Sequence, residues 1–197
     1  MKKIIATISL SLAAFISFAA GPTIGLSYDH DRANGNVTDF RSVHEGKLSV
    51  TQDLSAGSGS IDGGLLLSRR RGSFIDNANG FEFGYSNGTS FDQVGLKGRI
   101  GYGRMNSIDP NGGGFTGNQQ YVSLGAEAAM PISLTSNGFV GYRHRNGLNS
   151  DTPIQNRYTV GVDFAVSNNI AVRVGYAHTR QAGFIYNGLT TGISYAF

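Results

Sequence analysis

Four histidines lie beyond the first twenty residues: His30, His44, His144 and His178. A serine becomes a nucleophile when a histidine takes its proton. Two residues apart on one strand, the two would share a face. The residue two beyond each histidine is Arg32, Gly46, Asn146 or Arg180, so none is followed by a serine at that spacing. "YDHDR" gathers Asp29, His30 and Asp31, the material of acid–base chemistry, but with no second cluster to face it; it reads as a polar strand end. "DHDRANGN" has the wrong acidic spacing for a calcium loop and no closing glutamate. "GGGFTG" at 112–117 fits G-x-G-x-x-G without a surrounding βαβ unit and reads as a loop. Cysteine is absent, which excludes disulfides, thiolate zinc sites and iron–sulfur clusters. No catalytic residue, metal or cofactor is expected.

The arginines carry a clearer message. In "LLLSRRRGSF", at 65–74, an apolar run stops and three arginines follow. Similar basic ends recur at His30 and Arg32, at Arg104, at Arg143, His144 and Arg145, and at His178 and Arg180. Arginine's planar fork matches phosphate with two parallel hydrogen bonds. Apolar side chains that meet acyl chains, with arginines at a phosphate layer above them, describe a lipid surface.

The elements that must position these residues are extended. "MKKIIATISLSLAAFISFAA" has a basic start, a short apolar core and a small-residue exit, so residues 1–19 are expected to be a secretory signal peptide. Removing Lys2 and Lys3 leaves 14 basic against 13 acidic residues, a balance that does not suggest nucleic acid. About 178 residues remain, enough for one domain over 20–197. No later apolar run reaches the roughly 20 residues of a membrane-spanning helix. If the chain spans a membrane it must do so as a barrel, which pairs every backbone polar group within the fold.

Ten stretches alternate with period two: "TIGLSY", "KLSVTQDL", "SIDGGLLLS", "FEFGY", "QVGLKGRIGYGR", "YVSLGAEAAM", "NGFVGYRHR", "RYTVGVDFAV", "IAVRVGYAH" and "GLTTGISYAF". Strict alternation predicts strands. Short connections ("SAGS", "SNGTS", "PISLTSN", "SNN") follow the even strands. Long polar ones ("DRANGNVTDF", "RGSFIDNANG", "MNSIDPNGGGFTGNQQ", "RNGLNSDTPIQN") follow the odd strands, and "TRQAGFIYNG" is intermediate. Short turns on one side and long loops on the other predict an all-β, antiparallel, up-and-down transmembrane β-barrel of about ten strands. An eight-stranded barrel is the alternative, should the first hairpin lie outside the wall. A lipocalin-like soluble barrel would hide its bulky face inside; here the opposite face carries the charge.

A charge facing hydrocarbon at mid-membrane costs roughly 2–4 kcal/mol, so that face must line the lumen. It holds a network expected to include Asp62, Arg70, Glu82, Lys97, Arg99, Glu127, Arg143, Arg157, Asp163 and Arg173, with Asp29 and Lys47 beside them and glycines between. A salt-bridged plug is the simplest arrangement in so narrow a lumen. The outward parity at the loop end predicts a lipopolysaccharide-facing rim of Arg32, Arg69, Arg71, Arg104, His144, His178 and Arg180.

The C-terminal "GISYAF" resembles the terminal signal read by the outer-membrane barrel assembly machinery, with Tyr195 and Phe197 as its key positions. "GYRHR", "GYAHTR" and the closing G-x-x-Y-x-F resemble small bacterial outer-membrane β-barrel proteins of the opacity type. That resemblance covers the whole chain after residue 19. It implies an outer-membrane location, with adhesion or surface interaction as the activity, though such barrels usually have eight strands. "GYRHRNG" also resembles the active strand of the outer-membrane lipid A deacylases, but His144 is followed by Arg145 and Asn146 where that family needs a serine. Omptin proteases, which are ten-stranded, need paired acids and a histidine from opposite walls; "YDHDR" alone does not supply them.

The expected protein is therefore a non-enzymatic integral barrel of the bacterial outer membrane, acting at the cell surface or in envelope integrity. A narrow porin-like channel and a lipid A-modifying enzyme are the alternatives. Expected partners are outer-membrane lipids and lipopolysaccharide, the assembly machinery and an extracellular ligand held by the loops, with no nucleic acid.

Overall fold

In a computed structural model, residues 21–34, 40–54, 59–72, 75–107, 118–149, 154–181 and 183–197 are described. The expected signal peptide and the middles of the longest connections lie outside them. The ten strands are β1 (Thr23–Ala33), β2 (Phe40–Asp53), β3 (Gly59–Gly72), β4 (Ile75–Phe91), β5 (Val94–Ser107), β6 (Asn118–Ser133), β7 (Ser136–Gly147), β8 (Gln155–Ala165), β9 (Ile170–Gln181) and β10 (Phe184–Ala196). Each pairs antiparallel with its neighbours, and β1 pairs with β10, so the sheet closes in up-and-down order. The expected ten-stranded barrel is what the chain forms.

Closure is secured at the chain ends. Thr23 lies opposite Ala196, the Phe197 amide donates to the Pro22 carbonyl at 3.2 Å, and Asn169 Nδ2 donates to the Ala196 carbonyl at 2.6 Å. Tyr195 and Phe197 stack edge to face outside the wall, their ring centres 4.8 Å apart.

Alternation sorts the side chains. Ile24, Leu26, Leu48, Leu65, Leu67, Ile100, Leu124, Val140, Val160, Leu189 and Ile193 are exposed on the outer face. The inner face is not purely charged, as the sequence pattern implied. Leu66, Met105, Tyr121, Phe139 and Tyr186 are buried inside. Of the three leucines before the arginines, Leu65 and Leu67 point out, whereas Leu66 is 1% exposed and joins Met105 and Tyr121 in a small apolar cluster.

Glycine makes room for these residues. A Cβ on Gly103 would strike the Tyr121 ring, and one on Gly161 would stand 2.8 Å from the tip of Phe139. Tyr121 and Phe139 thus each lie over a bare stretch of a neighbouring strand, as close packing in a narrow lumen requires.

Three connections depart from expectation. "RGSFIDNANG" and "TRQAGFIYNG" are mostly strand: β4 begins at Ile75 and β10 at Phe184. Their Asn, Gly and Ala residues carry no hydrophobic alternation, but pairing holds from Ile75 opposite Arg71 and from Phe184 opposite Gln181. The turn placed at "SNGTS" lies instead at Asp92 and Gln93, because β4 and β5 stay in register until Phe91 meets Val94. Asp92 adopts φ 56° there, a left-handed conformation that aspartate tolerates.

The outer apolar face predicts a position-specific cost. Ile100→Arg, at an outward site 52% exposed near the middle of β5, is expected to destabilise the barrel in phosphatidylcholine vesicles by about 2–4 kcal/mol. Urea unfolding followed by the heat-dependent gel shift measures this. A cost below about 0.5 kcal/mol would mean that this face does not meet hydrocarbon.

Candidate functional site

Side chains from opposite walls meet inside the barrel. Arg145 on β7 reaches Glu45 on β2, which lies diametrically opposite in a ring of ten strands. Its two terminal nitrogens donate to both carboxylate oxygens, at 3.3 and 3.2 Å, and one also reaches Glu82 at 3.2 Å. A two-pronged guanidinium–carboxylate contact fixes orientation as well as charge.

Glu82 is the hub. It is 1% exposed. It accepts from the Tyr121 hydroxyl at 2.9 Å and from Lys47 at 3.3 Å, and it pairs with Arg99 at 2.8 Å. Arg99 turns its other edge to Asp62 through two bonds of 3.0 and 2.7 Å and also donates to Ser123. The Arg99 guanidinium lies against Gly84, where a Cβ would stand 2.5 Å from Nη2. The Arg145 guanidinium stacks on the Tyr121 ring, 4.6 Å from its centre. Strands β2 to β7 are thereby joined in one network.

Two smaller networks flank it. Arg157 on β8 bonds Asp31 on β1 at 2.6 Å and Thr179 at 3.3 Å, and pairs with Asp29 at 2.9 Å. Nearer the chain ends, Arg173 on β9 takes Asp163 with bonds of 2.7 Å and Glu127 on β6 with bonds of 2.8 and 3.0 Å. The same guanidinium lies 4.0 Å from the centre of the Phe139 ring.

Of the lumen residues expected from sequence, Asp62, Glu82, Arg99, Glu127, Arg157, Asp163 and Arg173 join in ion pairs. Arg70 donates to Gln119 at 3.4 Å. Lys97 and Arg143 make no ion pair among the described residues. Lys97 points into a cavity of about 520 Å³ at the chain-end side, also lined by Ser27, Thr51, Asn137 and Arg173, and Arg143 reaches only Gln155, at 3.5 Å. At the loop side a cavity of about 40 Å³ remains among Glu45, Arg70, Tyr121, Gln155 and Gln181.

Sequence reasoning missed Glu45, Asp31 and Arg145 as lumen residues, and it missed Tyr121 and Phe139. All have inward parity. Arg145 was grouped with a basic strand end, yet it sits two residues from Arg143 and so on the same inner face.

The rim residues lie outside, in two environments. Arg104, His144 and His178 are half-buried and hold neutral amides: Arg104 donates to Asn118 at 2.7 Å, His144 meets Asn156 at 2.9 Å and His178 meets Asn187 at 2.8 Å. Arg32, Arg69, Arg71 and Arg180 are exposed. Tyr28, Tyr102, Tyr142 and Tyr176 each precede by two a rim His or Arg on the same outward face, as aromatic residues do at a membrane interface.

The chemistry available inside is electrostatic. All four histidines lie on outward positions, and each arginine-bound carboxylate is held as a counter-ion. Among the described residues no cluster of three His, Cys, Asp or Glu could hold a metal.

No family model matches the sequence, and no curated protein does. Solved structures match the fold. The β domain of the Bordetella autotransporter BrkA is 12% identical over 91% of this chain and 100% of its own, with a TM-score of 0.54. An outer-membrane channel from Pseudomonas putida F1 is 10% identical over 93% and 98%, also at 0.54. An anion-selective porin from Comamonas acidovorans is 16% identical over 85% of this chain at a TM-score of 0.41, and this chain spans only 58% of its length. The fold is that of outer-membrane β-barrel proteins.

The hub predicts unequal costs. Glu82→Gln leaves Arg145 buried with one carboxylate fewer and is expected to destabilise by about 3–5 kcal/mol. Glu127→Gln should cost about 1 kcal/mol or less, since its side chain is 30% exposed and Arg173 keeps Asp163. Urea midpoints of the two refolded variants compare them directly, and equal midpoints would remove Glu82 from the centre of the network.

Proposed function

We propose that the chain is an integral barrel of the bacterial outer membrane whose lumen does not conduct, and that it acts through its outer surface and loops in surface interaction or envelope integrity. The observation that carries this reading is the Arg145–Glu45–Glu82 bridge across the full width of the barrel. Tyr121 fills the space beside it and only about 40 Å³ lies open above it. A solute would have to displace a two-pronged ion pair that itself lacks space to move. The basic ends of the upward strands support placing the loops outside, where phosphate-rich lipopolysaccharide forms the outer leaflet, and leaving both chain ends in the periplasm.

A narrow channel is the second reading. It draws on the cavity of about 520 Å³ that reaches inward past Lys97 to Arg173. An enzyme acting on lipid gains no support, because His144 engages Asn156 and has no serine two residues on.

Planar-bilayer recording separates the two readings. The chain over residues 20–197, refolded and showing a heat-dependent gel shift, is expected to give no steady conductance steps. Tyr121→Ala combined with Arg145→Ser, which removes the ring and the bridge together, is expected to produce them. Steady steps from the unaltered chain would sink the closed-lumen reading and make the protein a small channel.

A further inference from the structure

The outer face at the loop end is not uniform. His30, His44 and Arg69 lie directly opposite one another across β1, β2 and β3. Arg32, Ser42 and Arg71 form the next row toward the loops. Neighbouring strands stand about 4.8 Å apart and alternate residues about 7 Å apart, so these six side chains share one small patch. Within it the His30 and His44 rings meet edge to face at 4.3 Å, and Arg32 Nε donates to His30 Nε2 at 3.4 Å. Among the described residues, both terminal nitrogens of Arg32 remain free to donate. His44 is steadied by the Tyr28 hydroxyl at 2.6 Å and Ser42 Oγ at 3.4 Å.

Arginines gathered in one small patch repel one another unless an anion stands near. Elsewhere on the rim the bases face Asn118, Asn156 and Asn187. Here bases face bases, and none of the arginines pairs with a carboxylate among the described residues. Among the described residues, Asp29, Asp31, Glu45, Asp62, Glu82, Glu127 and Asp163 occupy inward positions, on the other side of the wall. Among the described residues no carboxylate faces the patch, which leaves its arginines open to an anion from outside.

The surface below the patch indicates what carries that charge. The next row down is Tyr28, Gly46 and Leu67, followed by Leu26, Leu48 and Leu65. A Cβ on Gly46 would meet nothing nearer than 4.0 Å, so a shallow notch runs between Tyr28 and Leu67, from the cationic rows down to the leucines. A phosphate held by the upper rows can extend an acyl chain along it.

We propose that the outward faces of β1, β2 and β3 form a discrete site for the phosphate group of an acyl-bearing lipid, with Arg32, Arg69, Arg71 and the Nδ1 side of His30 as donors, His44 packed against His30, and Gly46 as the start of the chain path. The site rests on the membrane placement proposed above.

Native mass spectrometry of the refolded chain in zwitterionic detergent tests it, with bis-phosphorylated lipid A, the same lipid dephosphorylated and inorganic phosphate as probes. One phosphorylated lipid A is expected to stay bound. Arg69→Gln with Arg71→Gln should lower its retention about tenfold or more, and Gly46→Leu should also lower it. His144→Gln, on β7 across the ring from β2 and so on the far wall, should leave it within about twofold. All variants are first checked by the heat-dependent gel shift. Equal retention of the dephosphorylated lipid, equal loss from the far-wall variant, or displacement by millimolar inorganic phosphate would overturn the discrete lipid site. Failure of the unaltered chain to insert into vesicles would instead overturn the membrane placement.

Discussion

Hydrocarbon offers no partner to a backbone amide or carbonyl, and the architecture follows from that constraint. Ten strands meet it only by closing, which the β1–β10 pairing achieves in unbroken register from Thr23 opposite Ala196 to Ala33 opposite Tyr186. Closure at this strand number fixes a narrow lumen. Every second residue of every strand must then share that space with residues from the facing wall. Long charged side chains fit only where their neighbours are small. Arg99 lies over Gly84 and Tyr121 over Gly103 for this reason.

The narrow lumen also decides how charge is handled. An arginine pointing inward cannot reach bulk water by extending, so it reaches the opposite wall. Arg145 to Glu45 and Arg157 to Asp31 link residues about a hundred or more positions apart in the chain. Buried ion pairs are weak evidence for stability, and these are better understood as devices of register. A slip of one residue in any strand would turn its inward charges to the lipid and leave their partners unpaired. Glu82, which ties β4 to Lys47, Arg99, Tyr121 and Arg145 at once, penalises slips in several strands together.

The strands were legible because alternation is a local property, and the face of nearly every singled-out residue follows from it. Ile24, Leu26 and Tyr28 needed only their spacing. The partners were not legible. That Arg173 takes Glu127 as well as Asp163 depends on the stagger of strands around the ring, which no local pattern carries. The inward rings were missed for a related reason: Phe139 has the chemistry of the outer face and the parity of the inner one. The bare strands opposite it, at Gly161 and Gly175, were the available signal. The extension of β4 and β10 into "RGSFIDNANG" and "TRQAGFIYNG" was hidden because beyond the apolar band only backbone pairing persists, and Asn and Gly pair without announcing it.

The two faces of the wall solve opposite electrostatic problems. Inside, acids and bases are nearly matched and the protein supplies both members of each pair. Outside, the described loop-end residues of the strands supply bases alone. A soluble protein with mixed surface charge would scatter acids on both faces, since water accepts either sign. Confining the acids to the lumen while arginines gather outside makes sense where the outer environment itself provides anions at a fixed height above an apolar layer. The tyrosines two residues below the rim bases mark the same height on β1, β5, β7 and β9. On β1 to β3 the arrangement goes further, because two histidines and three arginines approach one another with a bare notch at Gly46 beneath them. The three arginines repel one another, and with a row of leucines directly below them the patch is matched in chemistry to an anion with an apolar body.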